Sequence, residues 1–159
     1  MDELLIFTDG SVDNKSGIGY GACLIVSEPG CSIETLSEQV KVKRFEDTSS
    51  TKLELQTLLW ALKNIFPAEC KVIVHTDSQN IMSLPARRAR FEQNDYRSKK
   101  NRLLKNHELY RDFFQITDRL SCDFIKVRGH KVSHEKDDVD RIFTLVDKAS
   151  RNAMRGDMG

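Results

Sequence analysis

The sequence has 159 residues and a mass of 18.2 kDa, which suits one domain with a single hydrophobic core. Its 39% hydrophobic and 31% charged residues argue against a disordered chain, and the net charge of +1 indicates no partner by itself. No apolar run has membrane-spanning length, and the acidic start "MDELLIF" is unlike a signal peptide, so we expect a cytoplasmic protein. The four cysteines show no zinc-ligand spacing, and we expect reduced thiols.

The first third of the chain predicts three successive strands. Residues 3–8 form an apolar run, "GIGYGACLIVS" follows a glycine-rich turn, and "IETLSEQVKVKRF" alternates well enough for a third strand. Short connections between consecutive strands favour antiparallel pairing. We therefore expect an antiparallel meander.

A helix and a buried strand come next. The segment "SSTKLELQTLLWALKNIF" has apolar residues at the 3.6-residue period of an amphipathic helix, and Pro67 ends the pattern. The strand "CKVIVHT" follows it. Because a strand, helix and strand in this order form a crossover unit, the fourth strand should lie parallel to one of the first three.

The second half predicts helices around one more strand. A short helix reaches Leu84 and is broken by Pro85, a basic segment follows, and "HELYRDFFQITDRL" predicts a further helix. The last strand is "CDFIKV" at 122–127, and a terminal helix covers about 139–155. The fold class is α/β, with helices packed on a mixed sheet.

The basic segment carries most of the chain's charge asymmetry. Eight basic residues against Glu92 and Asp95 give it a local charge of +6 and leave −5 elsewhere: Arg87, Arg88, Arg90, Arg97, Lys99, Lys100, Arg102 and Lys105. This density indicates either a polyanion partner or a solvated helix face, and both interpretations stay open.

Two predicted strands end in the same way, with an apolar run, a threonine and an aspartate. The stretches are "LLIFTDGS" with Asp9 and "VIVHTDSQ" with Asp77. Ligands gather at the carboxyl ends of parallel strands, and two neighbouring carboxylates repel each other unless a cation lies between them. The alternative interpretation is that each aspartate is a turn residue or a helix N-cap.

Two further acids are candidates for the same site. Glu54 lies at the start of the predicted helix, although "TKLE" also fits a capping box with Thr51 as N-cap. Asp147 lies at the edge of the apolar stripe of the last helix, where an ordinary boundary residue is the alternative. An all-oxygen ligand set suits Mg²⁺ or Mn²⁺, and two such ions about 3.5–4 Å apart would support phosphodiester hydrolysis.

Taken in order, these motifs resemble a known family. "IFTDGS", "GIGYGA", Glu54, "TDSQ", and "VRGH" before a helix with Asp147 resemble type 1 ribonuclease H over essentially the whole chain. The resemblance implies a five-stranded mixed sheet in the order 3-2-1-4-5 with helices on both faces. It also implies a single catalytic domain over 1–159, with a basic, substrate-binding protrusion at about 85–106, and a monomer that cleaves the RNA strand of RNA–DNA hybrids.

The resemblance also implies roles for individual residues. Asp9 would bridge two Mg²⁺ ions, Glu54 and Asp77 would complete one metal site, and Asp147 would help to hold the other. His130 resembles the family's mobile histidine, with His134 as its rival in the glycine loop. The residues that would contact the substrate are Asn14 and Gln79 in the minor groove, Ser49 and Asn106 at a DNA-strand phosphate, and Ser50, Thr51, Arg97, Lys99, Lys100 and Arg102.

The chain departs from the family's pattern at two places. "SSTKLE" has Ser50 and Thr51 where an asparagine pair is common, and the spacing from His130 to Asp147 is longer than usual. The longer spacing makes Asp140 an outside candidate for the fourth ligand. Two other functions remain alternatives: a metal-dependent DNA nuclease or resolvase of related fold, and a catalytically silent nucleic-acid-binding module.

Overall fold

The computed structural model describes residues 3–27, 30–65, 71–127 and 137–158. These residues form five strands and five helices. The strands are β1 (Glu3–Asp13), β2 (Ile18–Val26), β3 (Lys41–Phe45), β4 (Lys71–Thr76) and β5 (Ser121–Lys126). The helices are α1 (Ile33–Gln39), α2 (Ser50–Lys63), α3 (Gln79–Gln93), α4 (His107–Arg119) and α5 (Asp138–Met158).

The strands form one sheet in the order β3-β2-β1-β4-β5, which confirms the expected topology. β1 and β3 pair with β2 in the antiparallel sense, whereas β4 pairs parallel to both β1 and β5. The predicted crossover from β1 to β4 through α2 is therefore present. Within the part of the chain that the structure describes, every helix is too short or too polar to cross a lipid bilayer.

Successive side chains of β1 point to opposite faces of the sheet and separate two hydrophobic clusters. Ile6 packs with residues of α2, α3 and α4, including Leu58 and Phe113. Phe7 packs on the other face with Phe143 and Val146 of α5 and with α1. The sheet is thus covered on both faces, and α5 packs on the face that carries the odd-numbered residues of β1.

The expected third strand is wrong in its first half, where the chain forms α1. Ile33, Leu36 and Val40 are spaced by three and four residues, which is a helical period, and Leu36 is buried. Ser32 caps the helix, since its hydroxyl accepts the Thr35 N–H at 3.2 Å. The strand is therefore confined to β3, and the meander is interrupted between β2 and β3.

The expected break at Pro85 is also wrong, because α3 continues through this residue to Gln93. Proline removes one backbone hydrogen bond, but buried Ile81, Leu84 and Phe91 lie on both sides of it. Arg88, one turn beyond, donates to both carboxylate oxygens of Asp118 on α4, at 2.6 and 2.8 Å. Packing and this ion pair hold the helix together across the missing bond.

Gly21 sets the distance between the sheet and α2. A Cβ atom at this position would lie 2.1 Å from Thr57 Oγ1 and 2.8 Å from Thr57 Cγ2. We expect Gly21→Ala to lower the free energy of unfolding by about 2–3 kcal/mol, because α2 must move away from the strand. Urea unfolding of the purified variant measures the loss.

The double variant Gly21→Ala/Thr57→Ala tests the cause of that loss. Thr57 Oγ1 has no hydrogen-bond partner among the described residues, so removing it sacrifices no hydrogen bond. The double variant should recover at least half of the lost stability. A double variant as unstable as the Gly21→Ala protein would show that the overlap with Thr57 is not the reason.

Candidate active site

Asp9 lies where β1 loses one of its two neighbours. β1 pairs with β2 along its whole length to Asp13, but its parallel pairing with β4 ends at Phe7 opposite His75. The sequence predicted Asp9 at the end of its strand, and this is wrong. Asp9 lies inside β1, two residues beyond the last residue that pairs with β4. β4 ends at Thr76, and Asp77 follows directly. The two acids therefore share one edge of the sheet.

The alternative roles proposed for the two aspartates are not supported by the geometry. Asp9 lies within β1, opposite Ala22 of β2, and is not a turn residue. The N-cap of α3 is Ser78, whose hydroxyl accepts the Ile81 N–H at 3.1 Å. Asp77 precedes this cap and is exposed, so its carboxylate is not the group that caps α3.

Glu54 reaches the same site from α2. The N-cap of α2 is Ser49 and not Thr51, so the expected capping box is wrong. The Glu54 side chain therefore does not bond back to an N-cap at Thr51. Instead, Ser78 donates its hydroxyl hydrogen to Glu54 Oε2 at 2.6 Å. One pocket brings three of the acids together with buried threonine hydroxyls: Asp9, Glu54 and Asp77 with Thr8, Thr57 and Thr76.

Asp147 joins the group from α5. Phe143 and Val146 bury the helix against the sheet, and Ser150 Oγ lies 3.2 Å from Ser11 Oγ on β1. Because Ser11 and Asp9 are on the same face of β1, this contact places Asp147 beside Asp9. The structure thus brings all four predicted acids together, from β1, α2, the end of β4 and α5.

Asp140, the outside candidate, has a different role. Its carboxylate accepts the Asp137 N–H at 3.2 Å, and the Asp137 carboxylate accepts the Asp140 N–H at 2.8 Å. This reciprocal pair is the hydrogen-bonding pattern of a capping box at the start of α5. Of the two acids of α5, Asp147 is the one that contacts Asp9.

The electrostatics of the site reflect the crowding of like charges. Burial, together with the negative charge of Asp77 and contact with Asp147, raises the pKa of Asp9 to about 8, against an opposing hydrogen bond from the Gly10 N–H. Burial and the charge of Asp77 also raise the pKa of Glu54, although the Ser78 hydrogen bond opposes the change. Without a cation, the folded protein therefore holds a proton at Asp9 near neutral pH.

The donor set fits a hard divalent cation. All four acids offer carboxylate oxygens, the ligands that Mg²⁺ and Mn²⁺ prefer, and a cation would relieve the repulsion that raises the pKa of Asp9. Among the described residues, no three acidic, histidine or cysteine side chains are arranged so that they could bind one metal ion together. The Glu54 carboxylate instead accepts a hydrogen bond from Ser78, and the Asp147 carboxylate accepts one from Arg151 at 2.7 Å.

The predicted substrate-contacting residues outside the basic segment lie in a turn and at the starts of three helices. Exposed Asn14 lies in the β1–β2 turn, and exposed Gln79 opens α3, where it accepts a hydrogen bond from Lys126 at 2.7 Å. Ser49 caps α2, and exposed Ser50 and Thr51 form its first turn. Asn106 is the N-cap of α4, and its side chain makes no capping hydrogen bond.

The basic segment is only partly helical, so a solvated helix face does not describe it. Arg87, Arg88 and Arg90 lie on α3, and Arg87 is partly buried over the Phe91 ring. The remaining cations project from a small hairpin, in which Arg97 pairs with Leu103 and the Ser98 N–H donates to the Arg102 carbonyl at 2.8 Å. The exposed cations of this basic hairpin are Arg97, Lys99, Lys100 and Arg102.

The basic hairpin is anchored to the body of the protein. The Tyr96 N–H donates to the Phe91 carbonyl, and the Leu104 N–H donates to the Tyr96 carbonyl, both at 2.8 Å. Arg111 of α4 lies 4.5 Å from the centre of the buried Tyr96 ring. The hairpin therefore presents its cations from a fixed base.

His130 and His134, the two candidates for the mobile histidine, lie outside the described residues. Two other residues of the site were missed by sequence reasoning. Ser78 positions Glu54, and the hydroxyl residue after Asp77 in "TDSQ" was the available signal. Arg151 pairs with Asp147, and its i,i+4 spacing on the predicted terminal helix was the signal.

Comparison with known proteins assigns the chain to one family. A model of the RNase H family matches residues 1–149. Ribonuclease H of Caldicellulosiruptor saccharolyticus is 27% identical over 158 residues, which cover 98% of each chain. Ribonuclease H of Moorella thermoacetica is 25% identical over 145 residues, which cover 89% of this chain and 90% of its own.

Solved structures show the same fold. The crystal structure of LC9-RNase H1, described as a type 1 RNase H with the type 2 active-site motif, matches 98% of this chain and 73% of its own, with a TM-score of 0.71 and 16% identity. The foamy viral protease-reverse transcriptase in complex with dsDNA matches 94% of this chain and 93% of its own, with a TM-score of 0.62 and 10% identity. With the family model covering residues 1–149, the chain belongs to the ribonuclease H family.

Proposed function

We propose that this protein is an endoribonuclease that hydrolyses the RNA strand of RNA–DNA hybrids with the help of two divalent metal ions. The observation that carries the proposal is the convergence of four carboxylates at one sheet edge, where burial and the neighbouring acids raise the pKa of Asp9 to about 8. Four carboxylates that repel one another destabilise the folded protein unless a cation binds between them. Membership of the ribonuclease H family supports the substrate class.

Asp9, Glu54, Asp77 and Asp147 would hold two Mg²⁺ ions, which Mn²⁺ could replace. When bound, such ions activate a water molecule and stabilise the leaving oxygen of a phosphodiester. The protein's own part is to fix the acids in place. β1 fixes Asp9, the end of β4 fixes Asp77, and Ser78 holds the longer and more flexible Glu54 side chain.

The surrounding residues would bind the hybrid. Asn14 and Gln79 are exposed amides that could reach the minor groove, where a 2′-hydroxyl distinguishes RNA from DNA. Ser49 and Asn106 lie at the starts of α2 and α4, and helix N-termini favour phosphate groups, so both would serve a DNA-strand phosphate. Ser50 and Thr51 add hydroxyls beside Ser49, and the basic hairpin would hold the backbone.

A cleavage assay tests this function directly. Labelled RNA–DNA hybrid, double-stranded RNA and duplex DNA of one sequence are incubated with the protein, with Mg²⁺ or with excess chelator. We expect internal cuts in the RNA of the hybrid only when metal is present. Cleavage of duplex DNA would favour the DNA nuclease, and binding of the hybrid without cleavage would favour the silent module.

The histidine of the "RGH" motif would assist proton transfer or product departure, and we assign this role to His130. His130→Ala should lower kcat by about tenfold to a thousandfold, within the usual contribution of general acid–base catalysis. His134→Ala should change kcat much less. Single-turnover and steady-state rates on the hybrid measure both variants, and the reverse ranking would assign the role to His134.

The same proposal covers the organisation of the chain. We take residues 1–159 as one catalytic domain with a basic protrusion at about 85–106, acting as a cytoplasmic monomer. Light scattering during gel filtration, with and without Mg²⁺, measures the oligomeric state. A dimer would require the substrate surface to be reassigned.

A further inference from the structure

Arg151 lies one helical turn beyond Asp147 on α5 and forms an ion pair with it. Arg151 Nη2 donates to Asp147 Oδ2 at 2.7 Å, with the arginine and aspartate side chains 47% and 32% exposed. An aspartate four residues before an arginine is the favourable order for such a pair on a helix. The bond occupies one oxygen of a carboxylate assigned above to metal binding.

Two other acids of the site have different partners. Glu54 is held by the neutral hydroxyl of Ser78, and Asp9 accepts from the backbone N–H of Gly10. Asp147 instead faces a full positive charge, and its side chain also contacts Asp9. Arg151 therefore supplies positive charge to the crowded carboxylates in the protein without metal.

We propose that Arg151 is an internal counter-ion that competes with a divalent cation for Asp147, so that metal binding requires Arg151 to leave. The inference rests on the proposed function, because it assumes that Asp147 is a metal ligand. Two physical effects act in the same direction. The guanidinium occupies a ligand oxygen, and its charge repels a nearby cation.

Arg151 has room to leave. Nearly half of its side chain is exposed, and its long stem can place the guanidinium in water without disturbing α5. The helix backbone that carries Asp147 is held in position by apolar packing and by the Ser11–Ser150 contact, so it does not depend on Arg151. The exchange of arginine for metal thus needs a side-chain rotation only.

A titration of the full-length protein with Mn²⁺, without substrate, tests the competition. We expect Arg151→Ala to lower the dissociation constant for Mn²⁺ by about threefold to tenfold, because both the occupied oxygen and the repulsion are removed. Arg151→Lys keeps the charge and should recover most of the wild-type value. Calorimetry measures binding independently of cleavage.

A matched control is available on the same helix. Arg141 forms an exposed ion pair with Asp138 at 3.6 Å, at the start of α5. Arg141→Ala removes the same charge from the same helix and should change Mn²⁺ affinity by less than about twofold. An equal tightening in both variants would overturn the proposal, since net charge alone would then explain it.

Thermal unfolding gives a second readout. Without metal, Arg151→Ala should lower the Tm relative to wild type, because the acids lose their counter-ion. Added Mn²⁺ should then raise the Tm of Arg151→Ala by more than it raises the Tm of wild type. A Mn²⁺ affinity that is unchanged or weaker in Arg151→Ala would overturn the proposal.

The failure of the proposed function would look different. If wild type binds no Mn²⁺, or if Asp9→Asn binds it as tightly as wild type, the carboxylate site itself is wrong. If wild type binds Mn²⁺ through Asp9 while Arg151→Ala equals wild type, only the competition is wrong. The Asp9→Asn titration is therefore run beside the arginine variants.

Discussion

Replacing Asp9 by asparagine should lower hybrid cleavage by at least about a thousandfold while leaving the fold intact. Asp9 is the acid that the structure places against both Asp77 and Asp147, so its charge is central to any cation held there. Such a cation contributes several kcal/mol to transition-state stabilisation, which corresponds to this loss of rate. Single-turnover cleavage at saturating protein measures it, and circular dichroism checks the fold.

The same substitution should stabilise the metal-free protein, in a way that depends on pH. The pKa of Asp9 is raised from 3.8 to about 8 on folding, so the folded state retains a proton that the unfolded chain has released. The cost is absent below about pH 4 and grows as the pH rises towards 8. A tenfold change in proton affinity corresponds to about 1.4 kcal/mol, and the neighbouring acids adjust, so we expect a gain of about 1–3 kcal/mol at pH 8.

Asp13→Asn is the matched control for both measurements. Asp13 ends the same strand but is bound to the Ser16 hydroxyl at 2.8 Å, a contact that lowers its pKa. Its loss should leave cleavage within about twofold and should not stabilise the protein at pH 8. Chemical denaturation in chelator at pH 4 and pH 8 compares all three proteins. Near wild-type cleavage by Asp9→Asn at moderate Mg²⁺ would mean that the site is wrong.

Removing the charge of the basic hairpin should weaken hybrid binding and flatten its dependence on salt. The variant replaces the four exposed cations by alanine: Arg97, Lys99, Lys100 and Arg102. Each neutralised phosphate contributes about 0.7–0.9 to the slope of log affinity against log salt, so we expect the slope to fall by about two to four. KM should rise, while kcat at saturating hybrid stays within a few fold.

The hairpin should survive this substitution. Its backbone contacts, from Ser98 to Arg102 and from Leu104 to Tyr96, do not use the replaced side chains. The loss should be similar for hybrids of different sequence, because phosphate contacts carry no base information. An unchanged salt slope would show that the hybrid contacts another surface of the protein.

A pair of double variants separates local contact from net charge. Lys99→Ala/Lys100→Ala removes two charges from the hairpin tip, and Lys41→Ala/Lys43→Ala removes two exposed charges from edge strand β3. Only the hairpin pair should change the slope by about one to two. If both pairs change it equally, the long-range field of the protein is responsible.

The sequence predicted the proximity of the acids better than it predicted the local structure. Asp9 and Asp77 follow matching apolar runs, and the crossover rule places their strands side by side, so their proximity could be inferred. That Asp9 lies inside a longer strand could not be inferred, because β1 is extended by its pairing with β2. The position of β2 depends on the whole sheet.

Two of the local errors share one cause, since tertiary packing outweighed local preference. "IETLSEQV" supports both a strand and a helix, and the burial of Leu36 beside α5 decides for the helix. Pro85 should end a helix, but the flanking apolar contacts and the Arg88–Asp118 pair keep α3 continuous. The N-cap of α2 was misplaced by two residues because Ser49, Ser50 and Thr51 are all good caps.

The order of the sheet has a consequence for how the protein folds. β1 and β2 are neighbours in the chain and can form a hairpin early, whereas β4 reaches its place beside β1 only through a long crossover. Asp9 and Asp77 meet only when β4 pairs with β1, which we expect to be a late step. We therefore expect the acids to slow the late step, so that metal-free refolding followed by stopped-flow fluorescence is slower at pH 8 than at pH 5, and divalent cations speed it. The catalytic residues would then act on the folding barrier of this protein before they act on any substrate.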